Sequence, residues 1–373
     1  MIRPVASRDV IAIRSLQLKL TIFASLPLCG KPPRLVLRQK RFLFAYPASG
    51  HASENPLDWV VQRIVAPTPS NLTMNANAGS MLIFGCGYLG RRVANACTSA
   101  GRKVFAVTRS ENTAKDFRKQ GLQPIVADIT NADSLRDLPE TDCILFAVGF
   151  DRTVGVPIED VYVKGLKNVL GRLPRFKQAH QRFIYISSTG VYGQTNGDWV
   201  DEDSPCQPVR VGGKACLAAE ELLQSSEFGN ASVILRLAGI YGPGRVPRQK
   251  DVIADGEIAA ATTGYLNLIH VEDAASIVLA AEAKATPPAC YVVSDGNPVL
   301  RSEYYRELGN QLGVPDLKIN DVDTDSPAGQ RARASKRIRS DLIRDELGLS
   351  LNYGNYKVGL ADSLRVGDGL TDS

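Results

Sequence analysis

Histidine, methionine and tryptophan are scarce here, at three, three and two residues, and the first of these shortages bears on function. His51, His180 and His270 stand far apart with no HExxH-type pairing, so no metal site is expected. The seven cysteines (29, 86, 97, 143, 206, 216, 290) include no CxxC pair and fall largely within apolar patterns. They read as reduced thiols of a cytosol-like, cytoplasmic compartment rather than a disulfide framework. No apolar run approaches the roughly 18 residues that span a bilayer, which excludes a membrane role. Acids are almost missing from the start: residues 1–73 carry ten Lys/Arg against Asp9, Glu54 and Asp58, a net of +7, whereas the remainder carries a net of −2. The basic balance therefore belongs to the extension and argues nothing for nucleic acid.

Residues 1–80 lack convincing periodicity and are expected to be an N-terminal extension without a packed core. Three readings stand side by side: a basic, acid-poor organellar transit peptide, a secretory signal built on Leu20 to Cys29, or translation from an upstream start. Met74 and Met81, two of the three methionines, fall just before, or at, the first strand, which is the clue for the third reading.

What is present begins with Met81-Leu-Ile-Phe-Gly-Cys-Gly-Tyr-Leu-Gly90, an apolar strand running into a GxGxxG turn and a helix-like stretch. In a dinucleotide site Gly85 turns the chain tightly, Gly87 lets backbone approach a pyrophosphate, and Gly90 packs the helix against the sheet. Cys86, Tyr88 and Leu89 complete the loop. The helix to Ala100, the turn at Gly101 and a strand over 103–107 make a unit of about 30 residues, as the motif requires; a Gly-rich turn in an unrelated α/β protein is the blander alternative. After the second strand comes Thr108-Arg109-Ser110 rather than an acid, so the expected cofactor is NADP(H), with NAD possible: an acid would take a ribose 2′-hydroxyl, a guanidinium a 2′-phosphate. A solvated surface arginine is the alternative for Arg109.

Beyond this, helices near 111–120, 131–137, 158–173 and 213–223 alternate with strands at 123–126, 143–148, 182–187 and 232–237. The fold class is α/β: a Rossmann-type doubly wound parallel sheet with a smaller C-terminal α/β cap. The expected domains are 81–240 plus 264–285 for cofactor, and 241–263 plus 286–373 for substrate. Residues 241–264, rich in Gly, Pro and charge, suit a loop over the cleft. In the cap a strand at 291–293 and helices at 302–312 and 340–347 are expected, with a polar stretch at 320–335.

Tyr185-Ile-Ser-Ser-Thr-Gly-Val-Tyr-Gly193, Leu235-Arg-Leu-Ala-Gly-Ile-Tyr-Gly-Pro-Gly-Arg245, Asn267-Leu-Ile-His-Val-Glu-Asp273 and Val293-Ser-Asp-Gly296 follow in order. Together they resemble the extended short-chain dehydrogenase/reductases, the nucleotide-sugar epimerases and dehydratases, over residues 81 to about 360. The resemblance implies a tightly held NAD(P), a sugar or nucleotide-sugar substrate, and Ser188 as the group that holds the substrate hydroxyl. It implies that Asp128-Ile129 contact adenine and that Ala147, Val148 and Gly149 line the far side of the cofactor, a helix N-cap and a strand-end turn being the local alternatives. The lysine of its YxxxK pair is placed on Lys214. The tyrosine position is then Arg210, and an arginine, protonated at any useful pH, cannot be the base. Tyr192, Tyr241 and His270 are the candidate substitutes. Trp199, among Asp198, Asp201, Glu202 and Asp203, reads as a loop tether; Lys336, Arg337 and Arg339 read as a nucleotide-diphosphate contact or a solvated helix end.

The expected function is thus an atypical NADP(H)-dependent oxidoreductase, epimerase or dehydratase, working on a small molecule as a monomer or homodimer. A non-catalytic NADP(H) sensor and a structural module with an empty cleft are the competing classes.

Overall fold

The computed structural model describes residues 79–367 apart from 152, 154, 321, 323–328 and 330–334. Contacts divide the chain into two units, Met1–Asn71 and Leu72–Ser373, and the described residues all belong to the second. The readings made for residues 1–78, and most of the polar stretch at 320–335, lie outside them.

Seven parallel strands form the central sheet: β1 (Ser80–Phe84), β2 (Lys103–Thr108), β3 (Gln123–Val126), β4 (Cys143–Phe146), β5 (Arg182–Ser188), β6 (Ser232–Leu237) and β7 (Ala289–Val293), in the order β7-β6-β5-β4-β1-β2-β3. The inner strands read as unbroken apolar runs because both faces are covered. Alternate residues of β1 feed two cores. Met81 and Ile83 pack with Val93 and Cys97 of α1 (Tyr88–Ser99) and with Ile277 and Val278 of the helix Val271–Lys284. Leu82 and Phe84 pack on the other face with Leu166 and Val169 of the helix Gly165–Leu170 and with Ala219 and Leu223 of the helix Val211–Ser225. We label the helices after α1 as α2 (Glu111–Lys119), α3 (Gly165–Leu170), α4 (Val211–Ser225) and α5 (Val271–Lys284). Since β1 lies between β2 and β4, the winding reverses there and leaves a crevice beyond the carboxyl ends of β1 and β4.

The outer strands close the sheet in different ways. Strand β3 carries Pro124, which has no N–H to offer. At the other rim the Val292 N–H of β7 donates to the Glu202 carboxylate at 2.8 Å.

A third core gathers Tyr241, Val252, Ile258, Val299, Tyr304 and Leu360, among others, beside four two-stranded pairs. Residues 241–264 are more regular than expected. They hold a short helix, Gln249–Asp255, whose Val252 is buried, and a strand, Glu257–Ala259, paired with Lys318–Asn320. The glycines and prolines around it set the ends of these elements rather than abolishing them. The helix expected at 158–173 is wound as a π-helix over Asp160–Lys164 before continuing as α3. Lys336–Ile338 is a strand paired with Asp198–Val200, not the end of a helix, which corrects one reading of that basic cluster.

Candidate nicotinamide-dinucleotide site

The three glycines after β1 do different mechanical jobs. Gly85 has φ +83, and a Cβ there would overlap the Ala147 carbonyl beyond β4. A Cβ on Gly90 would stand 2.5 Å from the Gly85 carbonyl oxygen, so only glycine lets α1 start this close to the strand. Gly87 is the opposite case: nothing lies within 4 Å of the place a Cβ would occupy. It is the N-cap of α1, has no side-chain cap, and is followed by no acid in the first turn, so free amides and the positive end of the helix face open space. Those features fit a pyrophosphate.

From this cradle a cleft runs along the sheet edge past Thr108, Arg109, Asp128, Ile129, Val148 and Gly149. The structure thus brings most of the residues expected at the cofactor to one place. Ser110 is instead the N-cap of α2, accepting from the Thr113 N–H at 3.3 Å. The Asp128 carboxylate accepts from the Thr130 N–H (2.8 Å) and hydroxyl (2.7 Å) and so fixes the turn after β3. Arg109 is exposed at the cleft. Asp151, which also lines it, is held below the ordinary carboxylate range, first by hydrogen bonds from Thr153 and least by the Arg109 charge. The motif spacing does not single out Asp151 or Thr113, since they arrive from other loops.

Ser188 ends β5 and is half-buried, its Oγ accepting from the Gly190 N–H at 3.0 Å. The start of α4 lies directly against this turn: a Cβ on Gly213 would overlap the Gly190 carbonyl. Arg210 is the extended N-cap of α4 (φ −87, ψ 146), and Lys214 stands exposed one turn later.

The three candidate substitutes for the tyrosine are all buried. Tyr192 is 2% exposed, and its hydroxyl accepts from Arg236 Nη1 at 2.8 Å. Burial pushes its pKa up against the opposing Arg236 charge. Tyr241 is fully buried, with a hydroxyl that meets no partner among the described residues, and burial followed by Asp295 raises it. His270 is the N-cap of α5, Nδ1 accepting from the Glu272 N–H at 3.4 Å, and burial lowers its pKa to about 4, so it is neutral at neutral pH. Beneath the Ser188 turn lies a buried network that residue patterns do not reveal. The Glu220 carboxylate pairs with Arg236 at 2.7 Å and accepts from the Ser187 hydroxyl.

Asp295, 1% exposed, has one oxygen on the Asn297 N–H at 2.9 Å and the other without a partner among the described residues. Burial, ahead of the other influences, lifts its pKa to about 7. The folded state therefore binds a proton that an unfolded carboxyl releases near pH about 4. The resulting stabilisation is complete below that value and is lost as pH rises through about 7. Asp295→Asn is expected to abolish this slope, at most about 1.4 kcal/mol per pH unit, and to be the more stable protein at pH ~8. Urea midpoints across that range check it; parallel curves for variant and parent would contradict it.

Trp199 is 43% exposed, with the Arg337 and Arg339 guanidiniums 4.9 and 5.7 Å from its ring. It sits on the paired strand Asp198–Val200 rather than in a loop. Lys336 is buried, donates to the Tyr192 carbonyl at 2.8 Å, and has its pKa lowered to about 8 by burial and then by Arg210. Among the described residues no group of three or more His, Cys, Asp or Glu gathers as a metal site would, and no helix is long and apolar enough to cross a membrane.

Comparison with known proteins agrees with this geometry. The model of the NAD dependent epimerase/dehydratase family matches residues 81–293, more than half of the chain. Protein YeeZ of Escherichia coli K12 is 26% identical over 280 residues, covering 73% of this chain and 95% of that protein. A conserved protein of unknown function from Silicibacter pomeroyi superposes with a TM-score of 0.63 at 29% identity, over 79% of this chain and all of the other. The dTDP-glucose 4,6-dehydratase of Bacillus anthracis, solved with NAD, has the same TM-score at 15% identity, over 79% and 97%, a likeness of fold. An α/β sheet reversing beside a glycine cradle, with these sequence matches, makes the chain a member of the NAD-dependent epimerase/dehydratase family.

Proposed function

We propose that this protein is an NADP(H)-dependent oxidoreductase of the epimerase/dehydratase type, acting at a hydroxyl or carbonyl carbon of a sugar or nucleotide sugar. The observation that carries the reading is the corner of the cleft beside the glycine cradle, where Thr108 ends β2, Arg109 follows it and no acid occupies the ribose-reading position. A bound nicotinamide dinucleotide would supply or accept a hydride. The open space at Gly87 and the amides of α1 would hold its diphosphate, and the turn after β3 at Asp128 and Ile129 would flank the adenine. Ser188, at the carboxyl end of β5, would hold the reacting oxygen. Lys214, exposed in the first turn of α4, would meet a ribose or substrate anion. The Trp199 face with Arg337 and Arg339 offers a planar, cationic surface to a nucleotide end.

Calorimetry with the two oxidised nucleotides tests the cofactor assignment. NADP⁺ is expected to bind more tightly than NAD⁺, and Arg109→Ala to weaken NADP⁺ by about 10- to 100-fold, the worth of a charge-assisted phosphate contact, with NAD⁺ nearly unchanged. Equal or tighter binding of NAD⁺ by the parent protein would overturn the preference; silence with both would overturn the site. The sensor reading is favoured by one feature, the arginine that stands at position 210 where the tyrosine is missing, and disfavoured by the retained Ser188 and Lys214. Cofactor binding without reduction or oxidation of any nucleotide sugar or simple carbonyl compound would select it.

A further inference from the structure

The helix start that should carry an acid/base tyrosine does not, but another tyrosine lies beside the same place. Tyr162 sits on the π-wound turn Asp160–Lys164, a winding that interrupts α-helices frequently at functional sites. That turn packs along α4, and Ile158, just before it, is the side chain closest to Gly212 in the first turn of α4. The Tyr162 ring packs against the cluster of Val191, Tyr192 and Cys216, immediately behind the Ser188 turn. Its hydroxyl accepts from the Phe150 N–H at 3.2 Å, next to Gly149 in the wall of the cofactor cleft. Among the described residues that hydroxyl has no acceptor, so its own hydrogen is left for a ligand.

Resting on the oxidoreductase reading above, we infer that Tyr162 is the proton donor to the substrate oxygen, in place of the tyrosine missing from α4. In the reducing direction a bound reduced nicotinamide dinucleotide would supply the hydride for the carbonyl carbon, and with it the two electrons. As the C=O π bond opens, the Tyr162 O–H bond breaks and its proton joins the substrate oxygen; water then reprotonates the phenolate. Oxidation of an alcohol runs the same transfers backwards. Burial, then the Cys216 thiol, holds the phenol protonated, against the Phe150 N–H, which suits a donor. The titratable groups facing it are Cys216 of α4 and Tyr185 of β5.

The test reads the phenol directly. Tyrosinate absorbance of the full chain, with that of Tyr162→Phe subtracted, is followed against pH with saturating NADP⁺ or NADPH. The oxidised ring carries a positive charge, so at close range the proton affinity of Tyr162 should be at least about tenfold lower with NADP⁺. A residue that only packs behind the turn would titrate alike with both. Coinciding titrations, with nucleotide binding shown by calorimetry, would overturn the role of Tyr162 and leave the cofactor reading standing. Failure of either nucleotide to bind would remove both. Should Tyr162→Phe fail to fold, 3-fluorotyrosine at 162 keeps the hydroxyl, and its fluorine resonance gives the same comparison.

Discussion

Gly87→Ala should leave the unliganded protein as stable as the parent and still strip it of most of its cofactor affinity. Residue 87 has a negative φ, −99, and the added methyl meets nothing within 4 Å, so no steric contact within the empty fold opposes it. The same methyl projects into the space assigned to the diphosphate. Crowding of that kind costs about 1–3 kcal/mol, or roughly 5- to 150-fold in Kd. Gly85→Ala is the mirror experiment. Its φ of +83 and the neighbouring Ala147 carbonyl make the methyl a problem for the fold itself, and about 2–5 kcal/mol of stability should go, from left-handed strain plus overpacking. Thermal unfolding and NADP⁺ calorimetry on the two variants separate the effects. If Gly87→Ala bound NADP⁺ like the parent, the cradle would not be where the phosphates lie.

Glu220→Ala should cost more stability than any surface change, about 3–5 kcal/mol. The carboxylate side chain is 2% exposed and the Arg236 guanidinium 10%, so removing the acid strands a buried cation and frees the Ser187 hydroxyl as well. Exchanging both partners for methionine should recover much of the loss, because packed apolar side chains in place of a buried pair are often neutral. Urea denaturation of the single and double variants measures both. A loss below about 1 kcal/mol in the single variant would mean that water or rearrangement rescues the arginine. Since Arg236 also donates to the Tyr192 hydroxyl, the ion pair steadies the turn that begins at Ser188.

The contrast between these two sites explains what could be read from residues alone. Gly85, Gly87 and Gly90 act within one turn, and their work is local enough to follow from spacing. Strands 123–126 and 232–237 were legible to the residue because turn signals bound short apolar runs. Glu220 and Arg236 come from a helix and a strand, and nothing in either segment announces the other. The same holds for Lys336, which reaches the Tyr192 carbonyl across 144 residues. The π-wound turn at 160–164 escaped because a helical hydrophobic pattern over so few residues does not separate one winding from another. Tyr162 therefore looked like one more position on an amphipathic helix. In residues 241–264 the glycines and prolines point to a loop, but the buried Val252 anchors a helix between them.

The two rims of the sheet carry a last implication, for how copies of the chain meet. A parallel sheet with bare margins is a template that invites a neighbour to zip on, especially while the chain is still folding. Here one margin contains an imide nitrogen with no hydrogen, and at the other a glutamate oxygen already takes a backbone hydrogen that an incoming segment would seek. Self-association that would extend the central sheet is thereby disfavoured at both of its ends.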